Sequence, residues 1–221
     1  MKIQKENLKY FSSVSEFREF LIKAYQFVRQ QFLLYNNKES HSLEHTIRVV
    51  NSCISLASKL DGAIDVVVIA ALFHDVGRPL EDTLGKCHAE TGAETASSFL
   101  IQNSLNDMVS EIKDIILSHR YSKKIEPTTK EGKILKDADA LDALGAIGLY
   151  RTISYSVEQG YDLERALEHF EEKLFRLPSL MRFDLTRKIA EKETEMLRDF
   201  VKQAERGIEN SNFEMIIANL S

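Results

Sequence analysis

Residues 64–80 read IDVVVIAALFHDVGRPL, and the fold turns on how this stretch is read. Val66 to Phe73 is an unbroken apolar run of eight residues. Its four β-branched members, Val66 to Ile69, would also suit a buried strand, because periodicity alone does not separate a buried strand from a buried helix. No second run of similar character occurs in the chain, and one strand cannot make a sheet. The stretch is therefore predicted as a helix from Ile64 to about Val76. It is apolar nearly all round, so it should lie at the centre of its fold. It is too short to span a bilayer, which takes about 20 residues.

Working outward, nine glycines and three prolines are few for 221 residues. Sparse turn residues and apolar spacings of three and four favour an all-α protein. A first helix is predicted after Ser13, which has capping-box spacing to Glu16. Its apolar stripe is Phe17, Phe20, Leu21, Ala24, Phe27 and Val28. A second runs from Leu43 to Leu60, with Ile47, Val50, Ile54 and Ala57 inward. Further helices are expected at about 88–103, 106–120, 130–157, 162–175, 185–208 and 211–219, with breaks near 122–129 and 176–182. The expectation is one domain over 1–221, with a motif core at about 40–155 and a C-terminal helical extension from about 160. The charged, amphipathic extension reads as support or as a subunit contact, such as in a homodimer.

Composition narrows the function. The 43% hydrophobic and 29% charged content suits a compact core. Acidic residues outnumber basic ones 34 to 29, which disfavours nucleic acid as the main partner. The N-terminal MKIQKENLKYFSSV lacks the apolar core of a secretory signal. Cys53 and Cys87 form no CxxC pair, so neither a disulfide framework nor a thiolate zinc site is expected. A cytoplasmic location, with no membrane partner, is the resulting expectation.

The chemistry concentrates in histidines. Five of the six, His41, His45, His74, His88 and His119, lie between residues 41 and 119. An ionisable His74-Asp75 pair closing an apolar helix is costly unless paired or metal-bound. Adjacent residues on a helix point about 100° apart, so both reach one ion only where the helix ends or turns irregular. Gly77 and Pro79 supply such an ending. Upstream, HSLEHTIRVV puts His41 and His45 four apart on one face. Downstream, LKDADALDALGAIG carries Asp137, Asp139 and Asp142. Asp139 and Asp142 share a face and Asp137 points away, so one of these aspartates is a ligand candidate. Neither a phosphate loop nor a GxSxG elbow is present. Gly145 and Gly148 read instead as close helix packing.

The order HTIRVV, FHDVGRP, DADALDALGAIG resembles the HD-domain metal-dependent phosphohydrolases, over roughly residues 40 to 155. Small single-domain bacterial and archaeal members are the most similar subgroup. The spacings, 29 residues from His45 to His74 and 64 from Asp75 to Asp139, fit that family. The resemblance implies an HD-type helical bundle with additional C-terminal helices. It implies metal ligation by His45, His74, Asp75 and Asp139, with open positions for water and substrate. The ion would be one divalent metal (Mn, Fe, Co, Ni, Mg or Zn). A second is conceivable if His88 and His119 ligate, but one is the simpler expectation, because no bridging group besides Asp75 stands out. Asp75, His88 and His119 are the candidate catalytic groups, the histidines as proton donors to a leaving group. Arg78, Arg120 and His41 are candidate substrate contacts, ahead of Arg48, Lys86, Lys123, Lys124 and Arg151. Asp142 is open between orienting a ligand or neighbouring side chain and making a helix-face salt bridge.

The implied activity is hydrolysis of a phosphoester or phosphoanhydride in a small phosphorylated metabolite, with nucleotides the leading class. Phe73, Tyr121, Tyr150 and Tyr155 are candidates to stack on a base, or simply to pack. Two alternatives remain: a di-iron oxygenase on the same fold, and a non-catalytic nucleotide-binding module.

Overall fold

A computed structural model describes residues 3–34, 42–120 and 123–210. All regular structure among these residues is helical. The chain divides into two units, residues 1–142 and 143–221.

The first unit is built around the apolar stretch. It forms helix α3, Ile64–Phe73, and all ten of its residues are buried. Four further helices pack against it: α1 (Val14–Leu34), α2 (Leu43–Leu60), α6 (Val109–His119) and α7 (Lys130–Leu141). So does α5, His88–Gln102. A helix surrounded on every side has no polar face, and this is why its sequence shows no periodicity. Phe73 meets Phe27 and Phe99 with ring centroids 6.1 and 5.4 Å apart. Its ring therefore serves the core and not a base-stacking surface. Phe73→Ala should cost about 3–5 kcal/mol of unfolding free energy, the usual range for a buried aromatic. Urea unfolding at matched m-value would measure it.

Local signals account for most helix starts. Ser13 Oγ accepts from the Glu16 amide at 3.2 Å, and the Glu16 carboxylate reaches back to the Ser12 amide at 2.9 Å. The reciprocal cap is thus completed one residue earlier than the capping-box spacing implies. At α7 the Thr129 side chain accepts from the Gly132 amide.

Three expectations need correcting. The buried face of α2 is His45, Thr46, Val49, Cys53, Leu56 and Ala57, whereas Ile47 is exposed. The inward stripe starts at His45 and includes Ala57 as expected, with Val50 and Ile54 half-buried at its edge. The segment 130–157 is two helices, because Gly145 adopts φ +64°, which a right-handed helix cannot continue. The Gly77–Pro79 ending also starts a short helix, α4 (Arg78–Leu84), which the sequence reading missed. Proline near its first position has no amide to lose there.

In the second unit, α8 (Gly145–Glu158), α9 (Leu163–Glu172), α10 (Leu177–Leu180) and α11 (Asp184–Glu209) pack among themselves. Gly148 lies so close to the Ala143 backbone that no side chain fits between them. Tyr150 and Tyr155 are exposed on α8. The helix expected at 211–219 lies outside the described residues, as do His41 and Tyr121.

Candidate metal centre

Helix α3 stops at Phe73, and residues 74–77 continue as turns, with the Val76 amide bonded to the Phe73 carbonyl and the Arg78 amide to that of Asp75. This irregularity lets the neighbouring His74 and Asp75 side chains face one place. Two glycines make room for it. A Cβ on Gly77 would run into the His88 carbonyl, and one on Gly92 would lie 3.0 Å from the Phe73 carbonyl. The turn therefore sits directly against the first turns of α5, which carry His88.

Four imidazoles surround the Asp75 carboxylate. Nε2 of His45 and of His74 lie 3.7 and 3.6 Å from its Oδ2. Nε2 of His88 and of His119 lie 3.6 and 3.7 Å from its Oδ1. Asp139 closes the first side, with Oδ1 3.3 Å from His45 Nε2 and 4.0 Å from His74 Nε2. Three groups able to hold an ion result among the described residues, His45–His74–Asp139, Asp75–His88–His119 and, farther out, Glu81–Cys87–His88; the first two meet at Asp75. Asp75 has one oxygen beside each pair of imidazoles.

The orientation of every ring is fixed from behind. Nδ1 of His74 lies 2.7 Å from the Ala71 carbonyl, and Nδ1 of His119 lies 2.5 Å from that of Ile116. A carbonyl can only accept, so both nitrogens carry the proton. His45 Nδ1 is 2.7 Å from Asp142 Oδ2, and His88 Nδ1 is 2.9 Å from Glu81 Oε2. Ionised carboxylates also only accept. In each neutral ring the lone pair therefore belongs to Nε2, the atom that faces Asp75.

Burial keeps His74 and His88 neutral. It lowers His74 to about 4, against the pull of Asp75 and Asp139, and His88 to about 3. Nε2 of His74 and of His88 have no hydrogen-bond partner among the described residues, and both side chains are fully buried. An orphaned buried polar atom costs about 1–3 kcal/mol. Two such atoms aimed at one carboxylate, with neutral imidazole and ionised carboxylate donors around them, fit divalent transition metals.

The HD-domain family profile matches residues 42–144, the span that carries all of these groups. A crystal structure described as a predicted HD superfamily hydrolase, from an uncultured Thermotogales bacterium, is 32% identical. It superposes with a TM-score of 0.65 over 85% of this chain and 92% of that one. The chain belongs to the HD superfamily. An HD-superfamily hydrolase from Bacillus thuringiensis is 30% identical, with a TM-score of 0.67 over 89% and 100% of the two chains. YpgQ of Bacillus subtilis, an uncharacterised protein, is 29% identical over 80% of this chain and 89% of its own length. Its crystal structure in complex with ADP superposes with a TM-score of 0.67, over 86% of this chain and 96% of that one.

Within this HD fold the sequence-predicted residues divide. His45, His74, Asp75, His88, His119 and Asp139 come together. Arg78 and Arg120 lie at the Oδ1 side: Arg78 Nε is 3.2 Å from Asp75, and both guanidiniums contact Glu81. Arg48 instead pairs with Asp142 at 2.7 Å, and Lys123 lies 3.6 Å from Glu90 near the surface. Of the two roles left open for it, Asp142 takes the first, holding the His45 ring; its ion pair with Arg48 crosses from the end of α7 to α2 and is not a helix-face pair. Asp142→Ala is expected to weaken metal binding about 10–100-fold, the usual effect of removing a carboxylate behind a histidine ligand. Calorimetric titration with Mn or Zn would measure it.

Glu81 and Cys87 were missed. Arg120 donates to Cys87 Sγ at 3.0 Å. Burial would raise the thiol, but that bond and the Glu90 and Ala89 amides hold it below its ordinary value. The Arg78–Glu81 spacing of three was the one available signal for Glu81, and it was indistinguishable from an ordinary helix-face ion pair.

No described helix is long and apolar enough to cross a membrane.

Proposed function

We propose that this protein is a metal-dependent phosphohydrolase acting on a nucleotide or another small phosphorylated metabolite. The observation that carries the reading is the sharing of Asp75: two imidazoles at each oxygen, and a pair of arginines at one edge. The donor set has room for two divalent ions: His45, His74 and Asp139 would hold one, His88 and His119 the other, and Asp75 could serve either. When bound, such ions supply Lewis acidity, lowering the pKa of a water and polarising a phosphoryl oxygen.

The chain's own groups supply the rest. Two carboxylates, Asp75 and Asp139, do not offset two dications, so the centre keeps a positive excess that suits an anionic substrate. Arg78 and Arg120 are positioned to bind phosphate oxygens and offset charge that builds on them. His88 is a poor proton donor near neutral pH, because burial keeps it neutral to about pH 3. We therefore assign it to ligation and not to acid catalysis. His119, with Nδ1 bound to a carbonyl, takes the same role. The ADP complex of YpgQ supports a nucleotide as substrate class.

The same shared carboxylate also favours a second reading, a di-iron oxygenase. One experiment separates the two. Phosphorylated compounds are screened with Mn, Co, Ni, Fe and Mg, beside metal analysis of the protein as isolated. Phosphate or pyrophosphate release without oxygen supports hydrolysis. Iron content with dioxygen consumption and no phosphate release supports the oxygenase. Tight ADP binding with no turnover under any metal supports a binding module.

A further inference from the structure

Resting on that reading, we propose that Glu81 is the positioning residue of the site, holding the two arginines and the His88 ring in one arrangement. Three cationic or proton-donating groups from three different segments converge on its carboxylate. Arg120 donates to Oε1 at 2.7 Å, Arg78 to Oε2 at 3.1 Å, and His88 Nδ1 to Oε2 at 2.9 Å. Without an anion between them, two guanidiniums and an imidazole this close would repel or reorient.

The placement follows from local structure. Helix α4 begins at Arg78 and ends at Gly85, whose φ of +64° closes it after Leu84. Three residues along this short helix bring Glu81 beside Arg78, and the return to α5 brings His88 back to the same carboxylate. Arg120 arrives from the end of α6. A guanidinium has five N–H donors, more than one carboxylate can take, so a group anchored by Glu81 keeps donors for phosphate. Through His88, Glu81 also sets which ring nitrogen faces Asp75. Glu81 lies with Cys87 and His88 in a group that could hold an ion, but its two oxygens are already engaged by Arg120, Arg78 and His88.

The test uses the full chain with Glu81→Ala and Glu81→Gln, and has two arms. In the first, ring nitrogen–proton correlation spectra follow His88 after chelation of any bound metal, with the signal assigned through His88→Gln. Wild type should show the Nδ1–H form alone. Glu81→Ala should show a mixture of both tautomers, and Glu81→Gln, whose amide oxygen still accepts, should restore Nδ1–H. In the second arm, kinetics on the substrate found by screening should show KM raised at least about tenfold in Glu81→Ala, with kcat less affected. Adding Arg78→Ala should then cost less than it does in wild type, as coupled residues are non-additive.

An unchanged Nδ1–H signal in Glu81→Ala, or fully multiplicative effects with Arg78→Ala, overturns the proposal. If wild type hydrolyses nothing, the phosphohydrolase reading fails, and the spectral arm still decides on Glu81.

Discussion

Asp75→Ala is expected to abolish both metal content and turnover. Asp75 is buried, and among the described residues it is the one group within 4 Å of all four inward-facing Nε2 atoms. Its removal deprives both candidate ion sites of a ligand at once and leaves Arg78 without its partner at 3.2 Å. Turnover should fall about 10³-fold or more, the scale seen when groups that act as a unit lose a member. Metal analysis should find well under one ion per chain. The fold should survive, because His74 and His88 are already neutral near pH 7 and do not need the carboxylate's charge to stay buried. Asp75→Asn, which keeps the volume, controls for packing. A folded Asp75→Ala chain with wild-type activity would reject the mechanism.

Legibility in the sequence followed a physical divide. Helix α3 could be read because it is buried on all sides, and composition alone then reports burial. The absence of a second apolar run decided helix against strand. His74 and Asp75 could be read because a charged pair ending such a run has no cheap structural explanation. Asp139 was narrowed by helical spacing and then singled out by the family motif. What stayed hidden depends on three-dimensional return. Apolar counting places Ile47 inward because it cannot know that an imidazole, His45, faces the core. The short helix α4 is coded by the same Gly77 and Pro79 that read as an ending. Glu81 looked like any surface acid, since its meaning comes from Arg120, 39 residues away, and from a turn that folds His88 back. The shared role of Asp75 was likewise invisible: sequence supplies a carboxylate but not which ring stands beside each of its oxygens.

That division predicts that the two halves of the centre can be separated. The joint substitution His88→Ala with His119→Ala should lower metal content from two ions per chain to one. Those rings face only the Oδ1 side of Asp75, while His45, His74 and Asp139 remain gathered at Oδ2. His74→Ala should act on the opposite half, at the ion shared by His45 and Asp139. Turnover in the double variant should fall about 10²–10⁴-fold if hydrolysis needs a cation on each side of the transferring group. The nearest bound on that effect is the range for removing one positioned catalytic group. The double variant should still bind its remaining ion through an intact His45–Asp142 pair, so adding Asp142→Ala should then weaken that ion further. The contrary result is equally concrete. If the double variant holds as many ions as wild type and turns over substrate at the same rate, one ion suffices. His88 and His119 would then be buried imidazoles lining the site, and the Oδ1 face of Asp75 would be left to Arg78.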